Sequence, residues 1–434
     1  MTQQEKDMTM VPLLCGILLL VLLPASSFSA VLTLVEQEWG ISHAQSGAIL
    51  SAFQGGYIAS VLLALSVTDR INTRYVVLVG ATLSFAGSVL LPLLASDTLT
   101  GMVFRGIAGA GLGGVYMPGL RLISEAYGSE RRGRIVGFYV ACFVLGNALS
   151  FAATGALAAA YGWKTGYMVV SLASSTAILL AVYLLWRGRV MPVPAVKPRE
   201  VVIERGEQAG MGGRVAKQAS RPAPGRLVPV DLPTLLMILA YVAHMWEMYG
   251  MRSWMAPFLN SVLAASETGS GNAVFWAAQL TSISVFLGAL STGLAGWLSD
   301  HFGRTATAAG IMVLSALCSL VFGWLVGASF FLILLVGIVY SLTVNADSPI
   351  FSTGVTELAP PGYLGRVMAV QSFLGFGAAT ASPAFFGWIL DYFGEPLGWG
   401  VGFTLLGLGA LVGPVVLMVL RTHPASARLC AGRK

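Results

Sequence analysis

His244, Glu247 and Arg252 fall within "HMWEMYGMR", between the apolar runs "LPTLLMILAYVA" and "SWMAPFLNSVL". Ionisable groups are costly in such surroundings unless they pair, line a cavity or bind a proton. His244 and Glu247 lie three residues apart and share a helix face. Arg252 follows about 7.5 Å further along the axis and about 140° around it. The chemistry open to this set is proton binding at Glu247, relay through His244 and anion binding at Arg252. A structural ion pair between helices is the alternative. His-x-x-Glu is half of a metal site, but no second His/Glu pair accompanies it, so no metal is expected. Arg105 in "FRGIAGAGLGG" and Asn345 and Asp347 in "TVNADSP" are the other deep polar residues that point to a site.

These side chains need apolar elements to hold them, and the composition supplies little else. Of 434 residues, 56% are hydrophobic and 10% charged, with a mean hydropathy of +0.78. A soluble domain carries roughly 25% charged residues. Too little polar surface is present to coat a water-soluble globule of this size. Apolar runs of transmembrane length recur instead. Twelve are found, with the polar residues above in span four (near 98–124), span seven (near 232–262) and span ten (near 329–356). Span one, near 10–35, adds Ser26, Ser27, Ser29 and Thr33, each read first as packing or capping.

Between spans six and seven lies a stretch rich in Pro, Gly and charge, too polar to span. The expected organisation is therefore an all-α polytopic membrane protein of two bundles. Residues 1–190 form an N-terminal six-helix bundle, 191–230 a flexible cytoplasmic linker, and 231–434 a C-terminal six-helix bundle with a short tail. Lys and Arg concentrate at the termini, the linker and the even-numbered loops, with Lys164 alone on the opposite side. The positive-inside rule then places both termini in the cytoplasm and the protein in the cell (inner) membrane. The formal charge of +6 is a membrane-face signal, and no nucleic-acid partner is expected. The apolar run from Met10 exceeds a normal signal-peptide core, so the first helix is read as uncleaved. Cys15, Cys142, Cys318 and Cys430 lack CxxC spacing and imply neither disulfides nor zinc.

The two halves repeat. "SVTDRINTR" after span two matches "WLSDHFGRT" after span eight, and "SEAYGSERRGR" after span four matches "TELAPPGYLGR" after span ten. Copies six helices apart share one membrane orientation, as in the parallel repeats of secondary transporters. "GWLSDHFGR", with Gly296, Asp300, Gly303 and Arg304, matches a G-x-x-x-D-x-x-G-R loop pattern. The first-half copy keeps Asp69 and Arg70 but has Leu65 and Asn72 in place of glycines. Arg105, Gly109 and Gly111 match R-x-x-x-G-x-G. On these motifs the chain resembles the major facilitator superfamily over essentially its whole length.

That resemblance implies twelve helices in two bundles, a cavity lined by spans one, four, seven and ten, and a cytoplasmic gate built on the two loop motifs. An ordinary capped turn with cytoplasmic charges is the plainer account of those motifs. The G-x-G-x-x-G within span four lacks a preceding strand and a soluble βαβ unit, so no dinucleotide is implied. Span five has Ser150 and Phe151 where the family's antiporter signature has Gly-Pro, which weighs against a drug–proton antiporter.

The function expected is secondary active transport by alternating access: proton-coupled uptake of a small organic anion, held by Arg105 and Arg252. Efflux of an amphipathic compound is the alternative, suggested by Trp246, Met248, Trp254 and Phe258. A transporter-like nutrient sensor is a distant one, since the linker is too short for an added signalling domain. No nucleophile or metal constellation supports an enzyme, and no Walker loop supports ATP-driven transport. No cofactor is expected. The partners are the solute, protons as coupling ion and the lipid bilayer, with the chain a monomer.

Overall fold

A computed structural model describes residues 3–67, 71–127, 129–190, 230–265, 272–360 and 363–433. The regular structure described is helical throughout. Residues 3–190 form α1 (Gln3–Leu22), α2 (Ser27–Trp39), α3 (His43–Val67), α4 (Thr73–Leu94), α5 (Thr98–Ala126), α6 (Ser129–Tyr161), α7 (Trp163–Ser174) and α8 (Thr176–Val190). Residues 230–433 form α9 (Leu232–Ala264), α10 (Ala273–Phe302), α11 (Arg304–Phe322), α12 (Phe330–Ala346), α13 (Ser348–Leu358), α14 (Leu364–Phe393), α15 (Leu397–Ala410) and α16 (Val412–Thr422). A 3₁₀ segment, Pro424–Gly432, closes the chain. The linker 191–230 lies outside the described residues except for Val230, and so do Asp69 and Arg70 of the first loop motif.

Among the described residues, ten helical segments are long and apolar enough to cross a membrane. α5 and α9 complete the twelve spans. At 29 and 33 residues they have the length, but glycines and Arg105 in one, and His244, Glu247 and Arg252 in the other, lower their hydropathy. The two helices that read least like membrane spans carry most of the candidate site. With an even number of spans, the chain begins and ends on one side, here termed the terminal face; the other is the distal face.

Four spans are interrupted. α1 and α2 make span one with a break at residues 23–26, which contains Pro24, and α12 and α13 make span ten with a break at Asp347 ahead of Pro349. Proline removes a backbone donor and crowds the preceding turn, which accounts for both positions. α7/α8 and α15/α16 break at single residues.

Glycine sets how closely the spans pack. A Cβ at Gly109 would overlap the Phe53 carbonyl, and one at Gly111 the Ser84 backbone, so α5 lies backbone to backbone against α3 and α4. Gly303 has φ of +92° where α10 turns into α11, a left-handed conformation that glycine adopts without Cβ strain.

The two sets of helices meet unevenly. α3 packs on α14, α6 on α10, and α2 on α9. Three of the bonds that cross between them run from mid-membrane to the distal face. Ser29 Oγ donates to the Ser253 carbonyl at 2.6 Å, Gln279 to that of Ala152 at 2.9 Å, and Asn260 to Thr33 at 2.9 Å. Gly47 is so close to the Pro383 carbonyl that a Cβ there would stand 2.5 Å from it. Nearer the terminal face, Gly293, Gly296, Gly365 and Gly377 meet nothing within 4 Å beyond their own helices. An apolar cavity of about 280 Å³ opens there, lined by Ile58, Val61, Leu62, Met117, Met368 and Phe373 among others. Among the described residues, the two sets of helices touch distally and part towards the termini.

Candidate functional site

The interruption of span one brings the N-terminal end of α2 to the centre of the membrane. Ser26 and Ser29 line a cavity there of about 60 Å³. Ser26 is fixed by span five: its N–H donates to Ser150 Oγ at 3.0 Å, and its hydroxyl donates to Asn147 Oδ1 at 2.9 Å. The N-terminal end of α2 carries the positive end of a helix dipole.

Arg105, on α5, enters the same cavity and is 3% exposed. Its guanidinium lies 4.2 Å from the Phe53 ring centroid and 5.9 Å from that of Phe28, both cation–π distances. Nε and Nη1 are buried with no hydrogen-bond partner among the described residues. Arg252 reaches the cavity from α9, in the other set of helices. Its Nη2 donates to Asn345 Oδ1 at 2.7 Å, while Asn345 Nδ2 donates to the Ser341 carbonyl at 2.8 Å. The remaining wall includes Gln54, Tyr57, Phe143, Phe151, Tyr249 and Phe376, and no carboxylate lines it. Two guanidiniums and a helix N-terminus without an acidic partner form a place for an anion.

His244 and Glu247 do share a helix face, as their spacing requires, but that face turns into the 230–433 helices and away from the cavity. His244 Nδ1 is 2.9 Å from Asp347 Oδ1, and its Nε2 is 2.8 Å from Ser348 Oγ. Both members of the His244–Asp347 pair are almost fully enclosed. Glu247 is 2% exposed, with Ser315, Tyr340 and Asp347 as polar neighbours, and its Oε1 has no hydrogen-bond partner among the described residues. The six deep polar residues therefore fall into two groups. Arg105 and Arg252 share the cavity, with Asn345 behind Arg252; His244, Glu247 and Asp347 form a separate buried cluster. The break at Asp347 lies two residues beyond Asn345 and joins the groups.

The second loop motif is also ordered. Arg304 Nη1 donates to Asp300 Oδ1 at 2.5 Å and to Ser299 Oγ at 2.6 Å, and its Nη2 donates to Glu357 Oε1 at 3.1 Å. Glu357 Oε2 accepts from the Cys430 N–H at 3.0 Å, and the Asp300 carbonyl accepts from Arg433 at 2.6 Å. These contacts stay within residues 230–433.

Sequence reasoning did not single out Gln54, Tyr57, Asn147, Tyr249 or Phe376 as cavity residues. Asn147 carried a usable signal, being an amide inside an apolar run. The aromatic residues carried none, because a lining ring and a packed ring look alike in sequence.

Comparison with known proteins fits this architecture. The chain is similar to a probable chloroplastic anion transporter 4 of Oryza sativa subsp. japonica, at 25% identity over 61% of this chain and 43% of that protein. It is similar to the 4-hydroxybenzoate transporter PcaK of Pseudomonas putida at 26% identity, over 86% of this chain and 81% of the relative. The chain thus spans less than half the length of the rice protein. Its fold matches a bacterial homolog of the human lysosomal transporter Spinster, solved in an inward-facing and unoccupied conformation. That match has a TM-score of 0.71 and 16% identity, over 98% of this chain and 97% of the other. The model of the Major Facilitator Superfamily matches residues 14–379 and again 237–432. The chain therefore belongs to the Major Facilitator Superfamily.

Proposed function

We propose that this transporter moves small organic anions, aromatic carboxylates among them, by alternating access and in symport with protons. The observation that carries the reading is the central cavity itself. Arg105 and Arg252 enter it from opposite sets of helices, Nε and Nη1 of Arg105 have no hydrogen-bond partner among the described residues, where Tyr167 is its polar neighbour, and no carboxylate lines the cavity. A guanidinium held out of water and left unpaired is costly, so the charge that completes the site comes with the solute. Rings on several sides suit an aromatic body, and the relative that carries 4-hydroxybenzoate supports that class. Glu247 carries the proton and His244 with Asp347 relays it. The bundles meet through a linker at 191–230, the termini and the gate motif of Asp69, Arg70, Asp300 and Arg304 face the cytoplasm, and the working unit is a monomer in the cell (inner) membrane.

Purified protein in liposomes, given labelled 4-hydroxybenzoate and an inward proton gradient, tests this directly. Wild type should accumulate solute and collapse when the gradient is removed; Arg105→Gln should lose binding at every pH. Normal uptake by Arg105→Gln would remove the anion site. Export of an amphipathic compound is the second reading, supported by the apolar cavity beside Met117, Met368 and Phe373. It predicts that uncharged aromatic compounds compete as well as anionic ones.

A further inference from the structure

The distal seam holds a cluster that none of the above uses. Asp391, near the end of α14, places its carboxylate over the first turn of α3. Oδ1 accepts the His43 N–H at 2.9 Å and Oδ2 accepts the Ala44 N–H at 2.8 Å. The first N–H groups of a helix have no partner within it, and a carboxylate there satisfies them and meets the positive end of the dipole. Caps of this kind normally come from a residue beside the helix in sequence. Here the cap comes from the other set of helices, so it exists only while the distal seam is shut.

The His43 imidazole sits in the same seam, with its ring 6.1 Å edge-on from that of Trp254 on α9. Nδ1 is 2.9 Å from Glu36 Oε1 on α2, and Nε2 is 3.9 Å from Glu395 Oε1, which follows α14. The charged or titratable groups facing His43 are thus Glu36 from its own side of the seam and Asp391 and Glu395 from the other. Glu38, further along α2, is engaged elsewhere, by Lys164 and by Trp163 Nε1.

In the neutral imidazole that donates from Nδ1 to Glu36, Nε2 turns a lone pair towards the Glu395 carboxylate. One added proton converts Nε2 into a second donor. Because Glu36 and Glu395 belong to opposite sides, that proton turns a local contact into a bridge across the seam. The ring side chain is 29% exposed, so the proton exchanges with solvent at the distal face.

We propose that His43, Glu36 and Glu395 form a proton-binding site at the distal seam. A proton there, together with the Asp391 cap on α3, holds the distal gate shut. Acid on the distal side then drives the closed-distal state, separately from any proton carried with the solute. The inference rests on the closure of the fold and not on which solute is moved.

Spin labels test it with no solute present, so its outcome is independent of the anion site. In a background with the four native cysteines replaced, one pair is placed distally at Tyr161→Cys and Tyr392→Cys. The other is placed near the terminal face at Leu63→Cys and Leu364→Cys; all four positions are exposed. Distances are read by pulsed dipolar spectroscopy at about pH 7.5 and about pH 5.5, on either side of an ordinary histidine. With native His43 and Asp391, the short distal distance should gain population at the lower pH. His43→Gln should abolish that response. Asp391→Ala should lengthen the distal distance and shorten the other, shifting the open-to-closed ratio by roughly fivefold, as expected for a lost helix cap. Asp391→Asn, which keeps one acceptor, should shift it less and decides the point if the alanine variant does not fold. A pH response that survives His43→Gln, or is absent with His43 present, overturns the proton site. Unchanged distances in folded Asp391 variants overturn the gate.

Discussion

Glu247 is the residue on which the proposed proton coupling turns, and its surroundings separate three roles. Its carboxyl is sealed among the 230–433 helices beside Ser315, Tyr340 and Asp347, outside the lining of the central cavity. If it carries the proton, Glu247→Gln mimics the protonated form. Exchange of labelled solute between two filled compartments should persist while pH-driven accumulation fails. If it were a solute ligand, binding would weaken at every pH. If it were only one side of a structural pair, the change would leave a buried charge uncompensated, at about 3–5 kcal/mol, and the protein would melt early. Exchange, net uptake against pH and a melting curve on this one variant tell them apart; stable protein with unchanged pH-dependent accumulation would end the carrier role. The identities of these residues were legible in sequence because ionisable groups in apolar runs are rare. Their division into two groups was not. It depends on which neighbouring helix each face of α9 meets, and hydropathy says nothing about that.

Elements were easier to read than contacts, and α9 shows why. Its start is marked by Asp231, Pro233 and Thr234: the Asp231 carboxylate accepts the Thr234 N–H at 3.2 Å and the Thr234 hydroxyl, and Arg428 donates to it at 2.9 Å. Partial burial pushes the Asp231 carboxyl up, but the bonds from Thr234 and Arg428 outweigh it and hold the group below the ordinary 3.8. A carboxyl depressed on folding adds stability above its unfolded value, and that part is lost as pH falls through the folded value. Asp231→Ala should therefore cost about 1 kcal/mol at neutral pH, the worth of a typical N-cap. The difference from wild type should shrink as pH falls below 3.8. Melting curves across that range check it; a pH-independent difference would mean that the carboxylate charge contributes nothing. The breaks in spans one and ten were not anticipated. Pro24 and Pro349 were visible, but a proline inside a span is compatible with a kink, and only packing decides that the helix stops.

At the scale of the whole molecule, closure at one face depends on glycines that let helices from the two sets touch. The repeats and the even count of spans predicted two related bundles, but which face is shut is a property of one conformation and leaves no trace in sequence. Gly47 on α3 faces the Pro383 carbonyl on α14, and Gly387 on α14 faces the His43 carbonyl in return. Neither glycine packs α3 against α5; Gly56 and Gly109 do that. An indole at residue 47 has no room in the closed seam but has it once the two sets part distally. Gly47→Trp should leave folding within residues 3–190 intact and push the protein to a distally open state. It should bind solute offered at the distal face but fail to transport, because the return to the closed form is blocked. The converse change, Gly365→Trp, falls where a Cβ meets nothing within 4 Å and a cavity opens beside it, and should leave the closed-distal state populated. Side-specific labelling of single cysteines, with solute binding on the same samples, decides between steric blockade and loss of fold. A Gly47→Trp protein that transports normally would show that the distal seam need not close this tightly, and the alternating-access reading would lose its main structural support.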